Sequence, residues 1–245
     1  MSDTNQQDTS TEPTEIVEYY DNGQISAIYP LKDGEFNGEA RLYDTEGRLV
    51  QRIPYQDGVQ HGEMVIYLNE KVIQTADYKQ GQLDGFTNIY DEAGVLSQQM
   101  PFRQGELDGE LCVYNDGQLQ TIMTYHQGQQ DGPAISYYTN GEISHENYYQ
   151  LGKLDGEDRL YNQKGQLIKK QHYEQNQLDG KSVSYYPSPD NNRIQELDYF
   201  NKNQYVVAIK YDEEGKIQQI DYYKDGKYWF TLMRPLKTLK KYVSH

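Results

Sequence analysis

YKQGQLDG, at residues 78–85, is one copy of a pattern that recurs along most of the chain. Its last glycine has equivalents at steps of 23 or 24 residues, at Gly38, Gly62, Gly85, Gly109, Gly132, Gly156 and Gly180. Four residues before each of them stands another glycine, except before Gly180, where Asn176 takes the place. Asparagine is the other residue that tolerates positive φ. A fixed period of this length is typical of a protein built from one repeated supersecondary unit.

Two further columns of the repeat predict β-strands. Five residues after each second glycine comes a tyrosine, at Tyr43, Tyr67, Tyr90, Tyr114, Tyr137, Tyr161 and Tyr185, with Tyr19 and Tyr211 in register at the two ends. An apolar residue such as Leu49 follows the next turn, and an apolar or aromatic residue such as Tyr55 stands six positions later. Residues six apart share one side of a strand, whereas on a helix they lie about 240° apart.

Each unit therefore consists of two short antiparallel strands. The turn segments DNG (21–23), DTEG (44–47) and DEAG (91–94) lie between alternating apolar residues, which is a strong hairpin signal. The predicted fold is all-β: an elongated, curved meander of about nine tandem antiparallel β-hairpins over residues 15–226.

The two ends differ from the repeats. Residues 1–14 are polar and are predicted to be a disordered tail. Residues 227–245 carry five basic residues and no acidic one, and are predicted to cap the last hairpin. The spacing of Leu236, Leu239 and Val243 predicts a short helix that begins near Pro235, and Trp229 and Phe230 are expected to dock onto the hairpin.

Composition limits the possible classes of function. The 245 residues include 38 acidic and 23 basic ones, so the formal net charge is −15. This charge disfavours binding to nucleic acid or to an anionic membrane and favours a basic partner. The 25 tyrosines supply the large side chains of the core. The lone cysteine, Cys112, excludes an internal disulfide, and the lack of a long apolar stretch or a signal peptide predicts a cytoplasmic protein.

The repeat pattern resembles the MORN-repeat variant. The clearest copies are YYDNGQI (19–25), YKQGQLDG (78–85), FRQGELDG (102–109) and YYTNGEI (137–143). Bacterial chains made largely of this variant are similar to the YwqK-like family of antitoxin or immunity proteins. The resemblance implies a cytoplasmic bacterial protein that neutralises a cognate toxin by binding it, and it carries over no catalytic residue.

The sequence contains no convincing enzyme or metal signature. Gly180-Lys181-Ser182 imitates the end of a phosphate-binding loop, but the glycine required five residues earlier is Gln175. The five histidines lie in different units, and Cys112 lies in a strand where a buried small hydrophobe is expected. One aspartate per unit, as at Asp84, is too sparse to cage calcium. We therefore expect no catalysis, no cofactor and no metal.

Several units carry a second tyrosine beside the regular column: Tyr20, Tyr138, Tyr148, Tyr186 and Tyr222. Since adjacent strand residues face opposite sides, these rings either lie exposed on the other face or are packed there by curling of the sheet. Around the fifth and sixth units they coincide with acidic residues. The predicted partner-binding residues are Tyr138, Glu142, Glu146, Tyr148, Asp155, Glu157 and Asp158.

These observations predict an immunity protein or antitoxin that binds a toxin or effector domain with a basic cleft and covers its active site. No contact with nucleic acid or membrane is expected. The alternative is a non-catalytic MORN-type scaffold for protein or membrane assembly.

Overall fold

The computed structural model describes residues 14–187 and 193–233, and all regular structure in these ranges is β-strand. No helix in these ranges is long and apolar enough to cross a bilayer. The chain divides into two compact units, Met1–Gly109 (unit 1) and Glu110–His245 (unit 2).

Unit 1 contains strands β1 to β11. Their bounds are β1 (Glu15–Tyr19), β2 (Ile25–Lys32), β3 (Glu35–Phe36), β4 (Gly38–Tyr43), β5 (Leu49–Gln56), β6 (Val59–Gln60), β7 (Gly62–Leu68), β8 (Lys71–Lys79), β9 (Gln82–Tyr90), β10 (Leu96–Arg103) and β11 (Glu106–Leu107).

β12 (Gly109–Asn115) begins at the boundary, and the other strands lie in unit 2. Their bounds are β13 (Gln118–His126), β14 (Gln129–Tyr137), β15 (Ile143–Gln150), β16 (Lys153–Leu154), β17 (Gly156–Tyr161), β18 (Leu167–Glu174), β19 (Gln177–Leu178), β20 (Gly180–Tyr185), β21 (Ile194–Asn201), β22 (Gln204–Tyr211), β23 (Ile217–Lys224) and β24 (Lys227–Met233).

Within each unit the strands form an antiparallel meander, as the repeat predicts. In unit 1, for example, β7 pairs with β8 and β8 with β9. In unit 2, β20 pairs with β21, β21 with β22, and β22 with β23. A two-residue strand such as β3 pairs with the same neighbour, β2, as the longer strand that follows it. The predicted all-β, hairpin-repeat class is confirmed.

The tyrosine column marks a β-bulge in most repeats. Tyr43 at the end of β4 pairs with Leu49 at the start of β5, and the register shifts between Leu42 and Tyr43. The same shift occurs between Leu160 and Tyr161. Two columns that are separate in the sequence are therefore direct partners across the hairpin, where the bulge strengthens the local twist.

The glycine column marks positions with positive φ and, in most repeats, a close neighbour, as Gly62 shows. Gly62 has φ +111° and pairs with Tyr78 across β7 and β8. A Cβ atom on Gly62 would lie 3.3 Å from the Pro54 side chain. The position therefore needs glycine for its backbone conformation and for the close approach of its neighbour.

The turn before this glycine is a tight one. Gln80 and Gly81 both have positive φ, at 50° and 80°, which is the type I′ geometry of two-residue hairpins. In the repeat where glycine is replaced, Asn176 takes φ 68°. The tight turns are tied to one another, because Gly81 N donates to Gln60 O at 2.8 Å and Asn176 N donates to Leu154 O at 2.8 Å.

The most buried positions form a row across the strand centres, and its chemistry differs between the units. In unit 1, pairing places Ala40, Met64 and Ala76 on one face, and all three are buried. In unit 2 the buried members of the corresponding row are mostly polar: Asp158, Gln171, Ser182, Asp198, Ala208 and Asp221. We call the face of unit 2 that carries this row the back face and the opposite one the front face.

The C-terminal cap requires a correction. The expected helix is absent from the described residues, and Lys227–Met233 forms strand β24, paired with β23. The reason is local: Asp225 and Gly226, both with positive φ, close another tight turn, and the β-favouring Tyr228, Trp229, Phe230 and Thr231 follow. The helix predicted near Pro235 lies outside the described residues.

The N-terminal prediction concerns residues 1–14. Residues 1–13 lie outside the described residues. Thr14 is described, and its carbonyl accepts a 2.7 Å hydrogen bond from Leu31 N.

Candidate binding surface

A shallow groove on the front face of unit 2 contains three of the predicted partner-binding residues. Strand pairing places Tyr148 opposite Pro133 and Glu146 opposite Ile135. The groove encloses about 320 Å³, and we call it the Tyr148 groove. Its lining residues are Pro133, Ile135, Glu146, Asn147, Tyr148, Gly156, Glu157 and Arg159.

Tyr148 is the main exposed ring of this groove. Its residue surface is 46% exposed, and its side chain lies over Gly156, where a Cβ atom would approach Tyr148 Cβ to 3.3 Å. In unit 1 the equivalent positions over Gly38 and Gly62 hold Pro30 and Pro54. Other repeats place Asp77 over Gly85 and Thr124 over Gly132, so the residue at this position varies, and the tyrosine at 148 projects a larger surface than these side chains.

The charged residues of the groove are bound to one another. Tyr161 Oη donates to Glu146 Oε2 at 2.7 Å, and Arg159 Nη1 lies 3.6 Å from the same oxygen. Arg159 and Lys170 both form ion pairs with Glu157. The Lys170 hydrogen bond, followed by the one from Arg159, lowers the pKa of the Glu157 carboxyl below its usual value. Burial, followed by Glu146, raises the pKa of the Tyr161 hydroxyl.

Asp158 lies on the opposite face from its sequence neighbour Glu157. It is only 5% exposed, and its Oδ2 lies 2.9 Å from His145 Nε2. Its Oδ1 is buried without a hydrogen-bond partner. Asp158 is therefore part of the polar back-face row and does not line the groove.

Tyr138 has a structural role just beyond the end of strand β14. Its hydroxyl donates to Tyr161 O at 2.7 Å, one repeat further along the chain. Tyr20 and Tyr186 make the equivalent bonds to Tyr43 O and Tyr211 O, at 2.7 and 3.0 Å. Sequence reasoning missed this link, although its signal is present: each of these tyrosines directly follows a column tyrosine, at the point where the strand ends.

The remaining two predicted residues, Glu142 and Asp155, lie just outside the strands. Glu142 N donates to Asn140 Oδ1 at 3.1 Å, and Glu142 O accepts from Tyr138 N at 2.8 Å. Asp155 Oδ2 accepts hydrogen bonds from Gln175 N and Nε2, at 3.3 and 2.7 Å. The structure thus brings Glu146, Tyr148 and Glu157 together and places the other four predicted residues elsewhere.

The aspartate column connects neighbouring repeats. Asp84 Oδ2 accepts from Gln104 N at 3.3 Å, and Asp179 Oδ1 accepts from Lys202 N at 3.2 Å, as Asp155 does from Gln175. Each carboxylate thus binds the tight turn of the next repeat. In the described ranges, no three side chains of His, Cys, Asp or Glu lie close enough together to hold a metal ion.

Comparison with known families finds the MORN repeat variant in two segments, residues 130–151 and 205–225. Each segment covers one hairpin, β14–β15 and β22–β23 respectively. The first contains Pro133, Ile135, Glu146 and Tyr148 of the groove. The MORN-type repeat predicted from the sequence is confirmed, and it indicates a repeat scaffold for protein interaction. No curated protein matches the chain.

Two solved structures illustrate the remaining likenesses. A porin-like protein from Bacteroides uniformis is 13% identical, with 89% of this chain and 93% of that chain covered and a TM-score of 0.21. The Photorhabdus luminescens Tc holotoxin pore is 14% identical, with 89% of this chain but only 16% of that chain covered and a TM-score of 0.18. At such scores neither likeness bears on the fold or function of this chain.

Proposed function

We propose that this chain is an immunity protein or antitoxin of the bacterial cytoplasm, which neutralises a cognate toxin by binding it. The Tyr148 groove is the observation that carries the proposal. An exposed tyrosine beside two carboxylates gives a large contact area at low entropic cost, together with a preference for basic side chains. The chain acts as a binding protein in this proposal, and no catalysis, nucleic-acid contact or membrane contact is part of it.

The charges of the groove suggest how a basic partner is held. Glu146 and Glu157 are bridged by Arg159 within the chain. An arginine or lysine of the toxin can compete with Arg159 for these carboxylates while an apolar side chain packs on Tyr148. The net charge of −15 steers a basic toxin toward the chain, so association is fast at low ionic strength and slows as salt is added.

Neutralisation follows if the bound chain covers the toxin's active site. A specific complex of this kind buries about 1,600 Å² of surface, which is far more than the groove alone provides. The toxin therefore contacts further residues of the sheet.

The test is co-purification with the product of the adjoining gene, followed by measurement of affinity at low and high salt and of cell survival on co-expression. We expect a complex that protects the cell, and about tenfold weaker binding for Tyr148→Ala. Tyr19→Ala is the matched control, because Tyr19 is 64% exposed and lies in unit 1. Absence of any complex, together with absence of protection, contradicts the proposal.

A second candidate is a scaffold that assembles several proteins. The hydrogen bonds between successive repeats favour it, because they fix the spacing of equivalent surfaces along each unit. Simultaneous binding of two different partners distinguishes this function from neutralisation of a single toxin.

A further inference from the structure

One row of the front face changes its chemistry within unit 2. Direct cross-strand pairs connect Glu146 to Arg159 and Arg159 to Lys170. Lys170 then pairs with Val183, and from there the row is entirely aliphatic. Its members on strands β20 to β24 are Val183, Leu197, Ile209, Ile220 and Leu232.

The neighbouring front-face row is apolar on β21 to β24. It begins at Lys181 on β20 and continues through Tyr199, Val207, Tyr222 and Phe230. Tyr222 and Phe230 stack with their ring centroids 4.7 Å apart. We call the apolar residues of the two rows, the aromatic ones included, the aliphatic patch.

The patch is open on the last described strand. Leu232 is 51% exposed and Phe230 36%, and Trp229 beside it is 64% exposed. The other members of the patch, on β20 to β23, are half-buried. A contiguous apolar surface on a chain of such high net charge is typical of a binding site.

Lysines outnumber carboxylates at the margins of the patch. The carboxylates there are Glu157, which already pairs with Arg159 and Lys170, and the turn residue Asp225. Lys181 Nζ lies 5.9 Å from the Tyr199 ring centroid at one end of the patch. Lys224 on β23 and Lys227 on β24 lie opposite each other in the strand register, and they flank the other end of the patch. The nearby acidic residues Glu196, Asp198 and Asp221 belong to the back face, because they alternate with the patch residues along the strands.

We infer that the aliphatic patch is a docking surface for an apolar segment of the partner protein that carries carboxylates at its margins. This inference rests on the proposed function and identifies a second contact on the same face as the Tyr148 groove. The apolar rows supply the buried centre of the interface, and the lysines pair with the partner's acidic rim. The overall negative charge directs the encounter, whereas the local chemistry of the patch selects the docked segment.

The first test uses the complex with the adjoining gene product. Leu232→Glu places a carboxylate in the patch at a half-exposed position, and we expect at least about tenfold weaker binding. Leu151→Glu is the matched control, because Leu151 is 67% exposed and lies in a turn of unit 2. Lys181→Glu should weaken binding less, and the loss should diminish in high salt. Circular dichroism and the melting temperature confirm that each variant is folded.

Hydrogen exchange of the same complex locates the contact. We expect protection of amides in β21 to β24 in addition to protection in β14 to β17. If the wild-type chain binds but Leu232→Glu binds equally well and β21 to β24 show no protection, the patch inference is wrong and the proposed function stands. If the wild-type chain does not bind at all, the proposed function is wrong and the patch inference falls with it.

Trp229 is the only tryptophan of the chain. Its fluorescence therefore shows whether something other than a partner protein covers the aliphatic patch. In the free full-length chain we expect it to be readily quenched by acrylamide. Shielding that is independent of concentration means that the chain's own residues cover the patch, and shielding that grows with concentration means self-association. A blue shift with phosphatidylglycerol vesicles indicates a membrane surface. Any of these three results overturns the assignment to a partner protein.

Discussion

The hydroxyl of Tyr138 donates a 2.7 Å hydrogen bond to the backbone carbonyl of Tyr161, a residue 23 positions later. This bond joins the turn between β14 and β15 to the end of strand β17 in the next repeat. The same bond recurs from Tyr20 to Tyr43 and from Tyr186 to Tyr211. A tyrosine that looks like a free recognition ring in the sequence is thus part of the contact between neighbouring repeats, on which the stability of such arrays depends.

Tyr138→Phe tests this role, because it removes the hydroxyl and keeps the ring. We expect a loss of stability of about 1 kcal/mol, the usual contribution of one intramolecular hydrogen bond, measured as a lower midpoint in urea unfolding. Tyr148→Phe is the control, since that ring is 46% exposed and its hydroxyl is not required by the repeat. Equal midpoints for the two variants contradict the structural role.

The sequence predicts the repeat well because the signal is periodic. Turn glycines, column tyrosines and alternating apolar residues each repeat at 23 or 24 residues, and together they determine strands, turns and antiparallel order. The alternation argument also succeeds within regular strands: Tyr148 pairs with Pro133 on one face, and Tyr149 pairs with Gly132 on the other.

The argument fails where strand geometry ends. Tyr138 follows a register shift between Ser136 and Tyr137 and lies beyond the end of β14, so alternation no longer sets its direction. Its hydrogen-bond partner, Tyr161 O, belongs to the next repeat, so no local sequence pattern reveals it. The candidate site was scattered for a similar reason: Glu157 and Asp158 are neighbours in sequence, but within a regular strand they face opposite sides.

Two glycines of one repeat should differ sharply in their tolerance of substitution. Gly62→Ala places a side chain at φ +111° and within 3.3 Å of Pro54, and we expect a loss of about 2 kcal/mol or more. Gly81→Asn should change stability by less than about 1 kcal/mol, because Gly81 has open space around it and Asn176 adopts the equivalent turn conformation. Urea unfolding of both variants provides the measurement, and similar losses argue against positive φ and the close approach of Pro54 as the reason for the glycine at position 62.

Arg159→Gln probes the charges of the Tyr148 groove. The change releases Glu146 and Glu157 from their shared ion-pair partner and adds one net negative charge. Since the pairs are partly exposed, stability should change by less than about 1 kcal/mol. Association with a basic toxin should become about two- to threefold faster at low salt, and the gain should disappear in high salt. Slower association at low salt indicates that Arg159 itself contacts the partner.

We expect Asp198 to make the stability of unit 2 dependent on pH. It is 6% exposed on the back face, and its Oδ1 has no hydrogen-bond partner. Burial, reinforced by Glu196, raises the pKa of the Asp198 carboxyl from 3.8 to about 6, although Lys169 and Lys210 act in the opposite direction. Burial, followed by Asp198, raises the pKa of the Tyr205 hydroxyl, and burial, followed by Asp221 and Asp198, raises that of Tyr223.

The sign of the pH effect follows from the raised pKa. Between about pH 4 and pH 6 the folded chain holds a proton on Asp198 that the unfolded chain has released, so stability falls as the pH rises through this window. Above about pH 6 the carboxyl is ionised in the folded chain, and the full unfavourable free energy of burying this charge remains. Asp198→Asn removes that cost, and we expect a melting temperature a few degrees higher at pH 7.5, with little difference at pH 3.5. Glu174→Gln, at an exposed position, is the charge-matched control and should leave the melting temperature unchanged at both pH values. A stabilisation by Asp198→Asn that is equally large at pH 3.5 shows that the gain comes from packing, and a destabilisation at pH 7.5 shows that the ionised carboxylate is held by favourable contacts.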